Sequence, residues 1–343
     1  MNTRSSHLAP SGVTPDHVAR YLGHLTDRDL RAALRAALAL ADEGTPLPDV
    51  LDGLIGTAQR EVGERWARDE LSVADEHAAT AISDAVVSVL TAQAPVVPDR
   101  GVSVAVVCAE GEWHVLAARL AAEILRAEGH EVELLGGSLP PSHLRRFLAS
   151  TLVDVLAVSC STPDTLGGVL SCVQVAHGMG VPVLAGGRAF GGDERRARAL
   201  GVDLWAPDAR TAARLLRQPL PLHLAEPTAQ VEIVQDLSSK RQGFVESALA
   251  ELTTRVPSFR GLSLVQRDEA NEELDFLLRH VEVAILTQDP TLLDEHVQWM
   301  ASVLGARRDV APELLVLALE VMAGVTAQHE PVSSLLLGAL LAL

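Results

Sequence analysis

Cysteine and aromatic residues are both scarce in this sequence. Three of its 343 residues are cysteines, Cys108, Cys160 and Cys172, and aromatic side chains make up 3%. Three thiols without a CxxC spacing or a Cys/His array argue against a disulfide-stabilised fold and against a structural zinc site. With so few aromatic rings, alanine, leucine and valine have to form the cores, and we expect helices to dominate. The thiols are expected to be reduced, as in a cytoplasmic protein.

Basic charge and long apolar runs are lacking as well. The 28 Lys and Arg residues are outnumbered by 45 Asp and Glu residues, which gives a formal net charge of −17. Proteins that bind phosphate backbones need basic patches, so nucleic acid is not expected as a direct partner. No apolar run has the length of a transmembrane helix, and the start Met1–His7 lacks the apolar core of a signal peptide. We therefore expect no membrane association and a cytoplasmic location.

The order of helical and strand-like patterns divides the chain into three predicted domains. Residues 14–94 carry four helices joined by short loops, which is typical of an antiparallel bundle. Residues 101–217 alternate five apolar strands with five helices and predict a doubly wound, flavodoxin-like parallel sheet. Residues 229–343 show no strand alternation and predict an all-α domain. Its helices are predicted to break near Pro257, Asp289-Pro290, Gly305 and Pro331. The predicted fold class is therefore multidomain, α and α/β.

The loop after the first predicted strand carries the sequence Glu112-Trp113-His114. Such a loop lies at the carboxyl edge of a parallel sheet, which is where open sheets bind ligands. A neutral imidazole there is a good ligand for a transition metal, and a carboxylate two residues earlier can hold its second nitrogen. Many loops carry a solvated Glu and His, so this pair alone leaves both interpretations open.

A second pattern joins two helices of the predicted bundle. Trp66 ends one helix, and after nine intervening residues Glu76-His77 lies one turn into the next. A helical hairpin of this kind brings an indole and a Glu-His pair to one end of the bundle. The alternative is that Trp66 caps the bundle core while Glu76 and His77 are polar residues of the helix surface.

Taken in order, these patterns resemble the cobalamin-binding module of the CarH-type light-sensing proteins. The matching elements are Trp66…Glu76-His77, Glu112-Trp113-His114, Ser159-Cys160-Ser161 and Gly186-Gly187. The first is similar to the helical cap domain of that family, and the second to the Glu-x-His form of its Asp-x-His-x-x-Gly motif. The resemblance covers about residues 15–217.

The resemblance implies a role for each element below the cofactor. His114 would coordinate cobalt in place of the cofactor's own base, and Glu112 would orient the imidazole. Ser159 and Ser161 would offer hydroxyls to the cofactor's tail. Gly186-Gly187 would let the backbone approach that tail closely, as only glycine permits.

Above the cofactor, the resemblance implies that Trp66 presses on the upper axial group, while Glu76 and His77 line the same cavity. Two positions depart from the family's pattern. Ala117 stands where the loop motif ends in glycine, and Ala67 stands where a histidine can bind cobalt after light has expelled the adenosyl group. A bis-histidine photoproduct formed in that way is therefore in doubt. The DNA-binding domain that those regulators carry at the N-terminus is not recognisable here.

The C-terminal domain resembles a globin-like helical sensor domain, and the whole chain then resembles the photocobilins, photoreceptors that pair cobalamin with biliverdin. A bilin needs a flat apolar slot, aromatic walls and cations for two propionates. The candidate bilin-binding residues are His280, His296, Trp299, Arg307 and Arg308. All three cysteines lie outside this domain, so a thioether-linked bilin is not expected. The alternatives are a dimerisation bundle with Trp299 in its core, and a haem on His280 or His296.

The resemblance implies a cytoplasmic photoreceptor, not an enzyme, that binds adenosylcobalamin and non-covalent biliverdin. Light would break the Co–C bond, release Trp66 and change the quaternary structure of a homo-oligomer. No output domain is predicted, so a separate, unidentified signalling protein is the expected partner. Two alternatives stay open: a corrinoid carrier protein of methyl transfer, and a cobalamin-dependent antirepressor with a non-chromophoric C-terminal domain.

Overall fold

The computed structural model describes residues 12–95, 97–98, 102–228, 230–308 and 312–343, with the backbone alone at 258, 304–308 and 312. The described residues form an N-terminal helical cap, a five-stranded parallel sheet with flanking helices, and a C-terminal helical region. The predicted fold class is confirmed. Gly101 and Ala229, the predicted first residues of the second and third domains, lie outside the described residues.

Three helices of the N-terminal cap begin at strong capping residues. The cap contains α1 (Pro15–Thr26), α2 (Leu30–Asp42), α3 (Leu47–Asp49), a π-helical segment (Val50–Gly56), α4 (Thr57–Ala67) and α5 (Val73–Gln93). The side chains of Thr14, Asp29 and Ser72 accept backbone N–H groups at the starts of α1, α2 and α5. These hydrogen bonds satisfy N–H groups that have no partner within the helix.

Five parallel strands form the central sheet: β1 (Ser103–Cys108), β2 (Glu131–Gly136), β3 (Val155–Ser159), β4 (Val183–Gly186) and β5 (Leu204–Ala206). Its helices are α6 (Val115–Ala127), α7 (Pro141–Ser150), α8 (Leu166–His177), α9 (Arg195–Ala199) and α10 (Ala209–Leu215). The strand order is β2-β1-β3-β4-β5, so the order reverses between β1 and β3. Sheets of this kind bind ligands at that reversal, outside the carboxyl ends of the strands.

The C-terminal region contains α11 (Val231–Arg255), α12 (Leu264–Thr287), α13 (Thr291–Arg308), α14 (Pro312–Val325) and α15 (Glu330–Ala339). The predicted helix break near Gly305 lies a few residues further on, because α13 continues through Gly305 to Arg308 and α14 begins at Pro312. A helix tolerates an isolated glycine at a cost of about 1 kcal/mol relative to alanine. Within the described part of the chain, no helix is both long enough and apolar enough to cross a bilayer.

Both helical parts pack against the sheet domain, on opposite faces. The core of the cap includes Leu116 and Ile124 from α6, the helix that follows the loop after β1. On the other face, Val283 and Leu286 from α12 join the core that lies under α7 and α8. Helix α12 also contacts the 3-10 turn Pro163–Thr165 after β3, and α13 contacts α4. The cap and the C-terminal region therefore meet beside the carboxyl edge of the sheet.

A buried ion pair ties the C-terminal region to the sheet domain. Arg196 of α9 is buried, and its Nε donates to Asp289 Oδ2 at 2.8 Å while its Nη2 donates to Glu295 Oε2 at 3.0 Å. Its Nη1 donates to the carbonyl oxygen of Ala189 at 3.1 Å. A buried guanidinium is stable only when its donors are used in this way, so the contact holds the start of α13 against α9.

Candidate functional site

Glu112 and His114 lie in the loop between β1 and α6, at the carboxyl edge of the sheet. Oε1 of Glu112 lies 2.6 Å from His114 Nδ1 and also accepts the backbone N–H of His114 at 2.8 Å. Oε2 accepts the backbone N–H groups of Ser161 at 2.5 Å and Thr162 at 3.1 Å, in the loop after β3. One carboxylate therefore orients the imidazole and joins the two loops on either side of the strand-order reversal.

The two side chains of this pair differ in exposure and in charge. Glu112 is 1% exposed, whereas the side chain of His114 is 59% exposed. Burial raises the pKa of Glu112, but hydrogen bonds from His114 and Ser161 outweigh burial and lower this pKa to about 2. The hydrogen bond to Glu112 raises the pKa of His114. Because Glu112 engages Nδ1, Nε2 is the nitrogen left for a metal, as in other histidine ligands supported by a carboxylate.

The residues predicted to bind the cofactor's tail make contacts within the protein. Ser159 ends β3 and is half-buried, and Ser161 uses its backbone N–H on Glu112. A Cβ added at Gly186 would lie 2.7 Å from the carbonyl oxygen of Ala206, and one at Gly187 would lie 2.2 Å from that of Cys160. The glycine pair is therefore required by neighbouring backbone, whether or not a ligand approaches it.

Residues of the cap differ in how they relate to His114. Glu76, early in α5, accepts a hydrogen bond from Thr80 at 3.0 Å. After the hydrogen bond to Glu112 and the charge of Glu112, the charge of Glu76 is a further cause of the raised pKa of His114. The side chain of His77 is 75% exposed, and its Nε2 is 3.5 Å from Glu76 Oε2. Of the two predicted residues, Glu76 contributes to the raised pKa of His114, and His77 is largely in solvent.

A column of four stacked rings runs from the cap into the C-terminal region. Trp66 of α4 stacks on Trp299 at a centroid distance of 6.3 Å, and Trp299 stacks on His296 at 5.9 Å. His296 and His280 are stacked at 3.5 Å with planes 5° apart, and Phe276 packs edge-on against both. The structure thus brings three of the bilin candidates together with Trp66. Arg307 and Arg308 end α13, and their side chains lie outside the described part of the structure.

The two stacked histidines are buried and neutral. His280 is 3% exposed and His296 is 5% exposed, and Nδ1–H of His280 donates to the carbonyl oxygen of Phe276 at 2.8 Å. Burial lowers the pKa of both imidazoles, that of His296 from 6.5 to about 2. Neither ring carries a charge at neutral pH, so the pair stacks without repulsion.

The low pKa of His296 predicts that acid destabilises the folded protein. The unfolded chain protonates this imidazole below about pH 6.5 and the folded protein does not, so stability present at neutral pH is lost as the pH falls towards the folded-state pKa. We expect the free energy of unfolding to decrease by about 1.4 kcal/mol for each unit by which the pH falls, owing to this histidine.

Denaturant unfolding at several pH values measures this slope of the free energy of unfolding against pH. His296→Phe keeps a ring in the column and should reduce the slope by that amount, whereas the exposed control His143→Gln should not. Equal slopes in all three proteins would contradict the prediction.

Two family models match the part of the chain that builds this site. Residues 102–216 match the B12 binding domain, and residues 16–91 match a second model with the same description. This part of the chain is a cobalamin-binding module. The residues of the module fit the cofactor, because one exposed imidazole backed by a buried carboxylate suits a single axial cobalt ligand. In the described residues, no group of three or more His, Cys, Asp or Glu side chains could hold a bare metal ion.

One solved corrinoid-protein structure shares the fold of the cobalamin-binding module. A monomethylamine corrinoid protein from Methanosarcina barkeri is 16% identical with a TM-score of 0.50, over 58% of this chain and 96% of that chain. A cobalamin-binding protein from Desulfitobacterium hafniense is 19% identical with a TM-score of 0.32, over 60% of this chain and 98% of that chain. At these identities the likeness to the first concerns the fold alone. Among curated proteins, none matches this chain in sequence.

Three residues near the cobalamin-binding loops were not predicted from the sequence. Thr162 acts through its backbone N–H, which no sequence pattern marks. The charge of Arg188 lowers the pKa of His114, against the stronger effect of the hydrogen bond to Glu112. Gly168 lies close to the β1 loop, because a Cβ there would be 2.5 Å from the carbonyl oxygen of Glu110. A glycine pair inside an apolar helix was the available signal for this last contact.

Proposed function

We propose that this protein is a light sensor that binds adenosylcobalamin in its cobalamin-binding module and non-covalent biliverdin in its C-terminal region. Bound adenosylcobalamin would supply a cobalt–carbon bond that visible light breaks. The observation that carries the proposal is the packing of the cap on α6, the helix that begins directly after His114, since the cap also contains Trp66 and Glu76. A cap that packs on this helix would respond to a group bound above cobalt.

The residues of the module have separate tasks in this proposal. His114 would hold cobalt through Nε2 while Glu112, buried and charged, keeps the imidazole in one orientation. Trp66 and Glu76 would line the cavity above. When the group against Trp66 is lost, the packing of α4 changes, and the two arrangements of the cap form the two states of a switch. An altered oligomeric state would carry the signal to a separate signalling protein.

For biliverdin, the support comes from the ring column. The imidazoles of His280 and His296 are in van der Waals contact at 3.5 Å, and Trp299 lies between Trp66 and His296. A bilin would therefore lie along the edge of Trp299, which is 39% exposed, and not between the rings. Arg307 and Arg308, at the end of the same helix, would pair with the two propionates. The bilin would extend the sensor to longer wavelengths.

A corrinoid carrier of methyl transfer is the second candidate. It is favoured by the shared fold with a protein named as a corrinoid protein, and by the exposure of His114 and Trp113, which leaves the β1 loop open to a partner enzyme. The sequence pattern Trp66…Glu76-His77 favours the sensor. An antirepressor would use the same cofactor chemistry, with a transcription factor as the partner that reads the signal.

Reconstitution in the dark separates these functions. Apo-protein is mixed with adenosylcobalamin, methylcobalamin or biliverdin, and absorption spectra and light scattering are recorded before and after green light. A sensor should bind the adenosyl form, lose its band on illumination and change its oligomeric state in the same sample. A light-stable oligomer with a tightly held methyl form would identify a carrier. An unshifted bilin spectrum would remove biliverdin from the proposal. His114→Ala should abolish cobalamin binding and leave any bilin band intact.

A further inference from the structure

The contact between Trp66 and Trp299 joins the cap to the C-terminal region directly. The two indoles are stacked with planes inclined by 25°, and α13 contacts α4 along the same boundary. Trp66 is the residue that the proposed function sets against the upper axial group. Trp299 thus packs against one face of Trp66, the residue that would sense the cofactor.

The position of Trp299 is fixed by contacts within the C-terminal region. Trp299 rests on His296, and His296 rests on His280, whose Nδ1–H is bound to the carbonyl oxygen of Phe276. The start of the same helix is held by the buried ion pair between Arg196 and Asp289. Trp299 cannot move away from Trp66 without disturbing these contacts, whereas Trp66 lies on the cap, which packs on the opposite face of the sheet.

We infer that Trp299 is a positioning residue for Trp66. The C-terminal region sets the orientation of the indole of the cap, and through it the preference of the cobalamin-binding module for one upper axial group over another. The inference rests on the proposed function for the role of Trp66. It adds that the C-terminal region acts on the cobalamin site itself, whether or not it carries a chromophore.

The first test needs no cofactor. Two stacked indoles give an exciton couplet in the circular dichroism spectrum, and we expect it in the full-length apo-protein. Trp299→Phe and Trp66→Phe should each abolish the couplet, whereas the control Trp205→Phe, in β5, should retain it. Because Trp299 is 39% exposed, Trp299→Phe leaves the buried cores intact. A couplet that survives in Trp299→Phe would overturn the inference.

The second test measures selectivity. In the dark, Trp299→Ala should reduce the preference for adenosylcobalamin over hydroxocobalamin by about two- to tenfold, the range expected for loss of one aromatic pair. Trp299→Phe should restore most of the preference, and the Kd for hydroxocobalamin should stay unchanged because Glu112 and His114 are untouched. Equal weakening of both forms would mean a merely structural role and would overturn the inference.

The outcomes distinguish the inference from the function on which it rests. A wild-type protein that shows no preference for the adenosyl form and no response to light contradicts the proposed function, and the inference with it. A selective, light-responsive wild type whose preference is unchanged in Trp299→Ala contradicts the inference alone.

Discussion

A Glu112→Gln variant is expected to bind hydroxocobalamin about 10- to 100-fold more weakly than the wild type, although Glu112 would not itself contact cobalt. The carboxylate accepts two hydrogen bonds from His114 and one each from Ser161 and Thr162. Glutamine replaces one of its oxygens by an NH2 group, which cannot accept from an N–H donor. Whichever way the amide turns, either His114 or the loop after β3 loses its partner.

Titration of the apo-protein with hydroxocobalamin, monitored by absorption spectroscopy, gives both the affinity and the axial ligand. Glu112→Gln should retain a histidine-ligated spectrum at higher Kd, whereas His114→Ala should lose that spectrum altogether. The matched control is Glu110→Gln, an exposed carboxylate two residues earlier, which should bind as the wild type does. If Glu112→Gln binds as tightly as Glu110→Gln, the buried carboxylate does not support a cobalt ligand, and a histidine-ligated spectrum in His114→Ala would show that His114 is not the coordinating residue.

The fold class could be predicted because buried helices and strands have regular patterns of apolar residues in the sequence. The apolar run from Val102 to Cys108 corresponds to β1, whose residues are almost all buried because helices cover both faces of a parallel sheet. Gly305 shows how closely such reasoning places a helix end, because α13 continues to Arg308 before it stops. The intrinsic preference of one glycine is small, and the rest of α13 outweighs it.

The candidate site was predictable only in part. Contacts between residues close in the sequence could be predicted, and contacts between distant residues could not. Glu112 and His114 share one loop, so their pairing was one of the two interpretations that the spacing left open. The stacking of Trp66 on Trp299 joins helices of two domains, and such a contact leaves no periodic signal in either segment. Gly186 and Gly187 were recognised as a motif, but only the structure identifies the carbonyl groups of Ala206 and Cys160 as the atoms that require them.

The same close approach predicts that Gly187→Ala destabilises the protein by about 2–6 kcal/mol, combining backbone strain with overpacking. Gly187 has φ +116° and ψ 167°, a conformation that only glycine adopts readily. The new Cβ would lie 2.2 Å from the carbonyl oxygen of Cys160, a backbone atom that cannot rotate away. Cys160 N–H donates to Gly186 and its carbonyl accepts from Ala189, so movement would break the contacts between the β3 and β4 loops.

Denaturant unfolding and hydroxocobalamin titration of the same samples would measure the effect. The matched control is Gly192→Ala, because Gly192 is exposed and an added Cβ there meets nothing within 4 Å. This control should change stability by no more than about 0.5 kcal/mol. Gly187→Ala should also weaken cobalamin binding, because Ser161 follows Cys160 and its backbone N–H holds Glu112 at 2.5 Å. Wild-type stability together with wild-type affinity would show that the β3 and β4 loops can separate without cost, and that Glu112 does not depend on their contact.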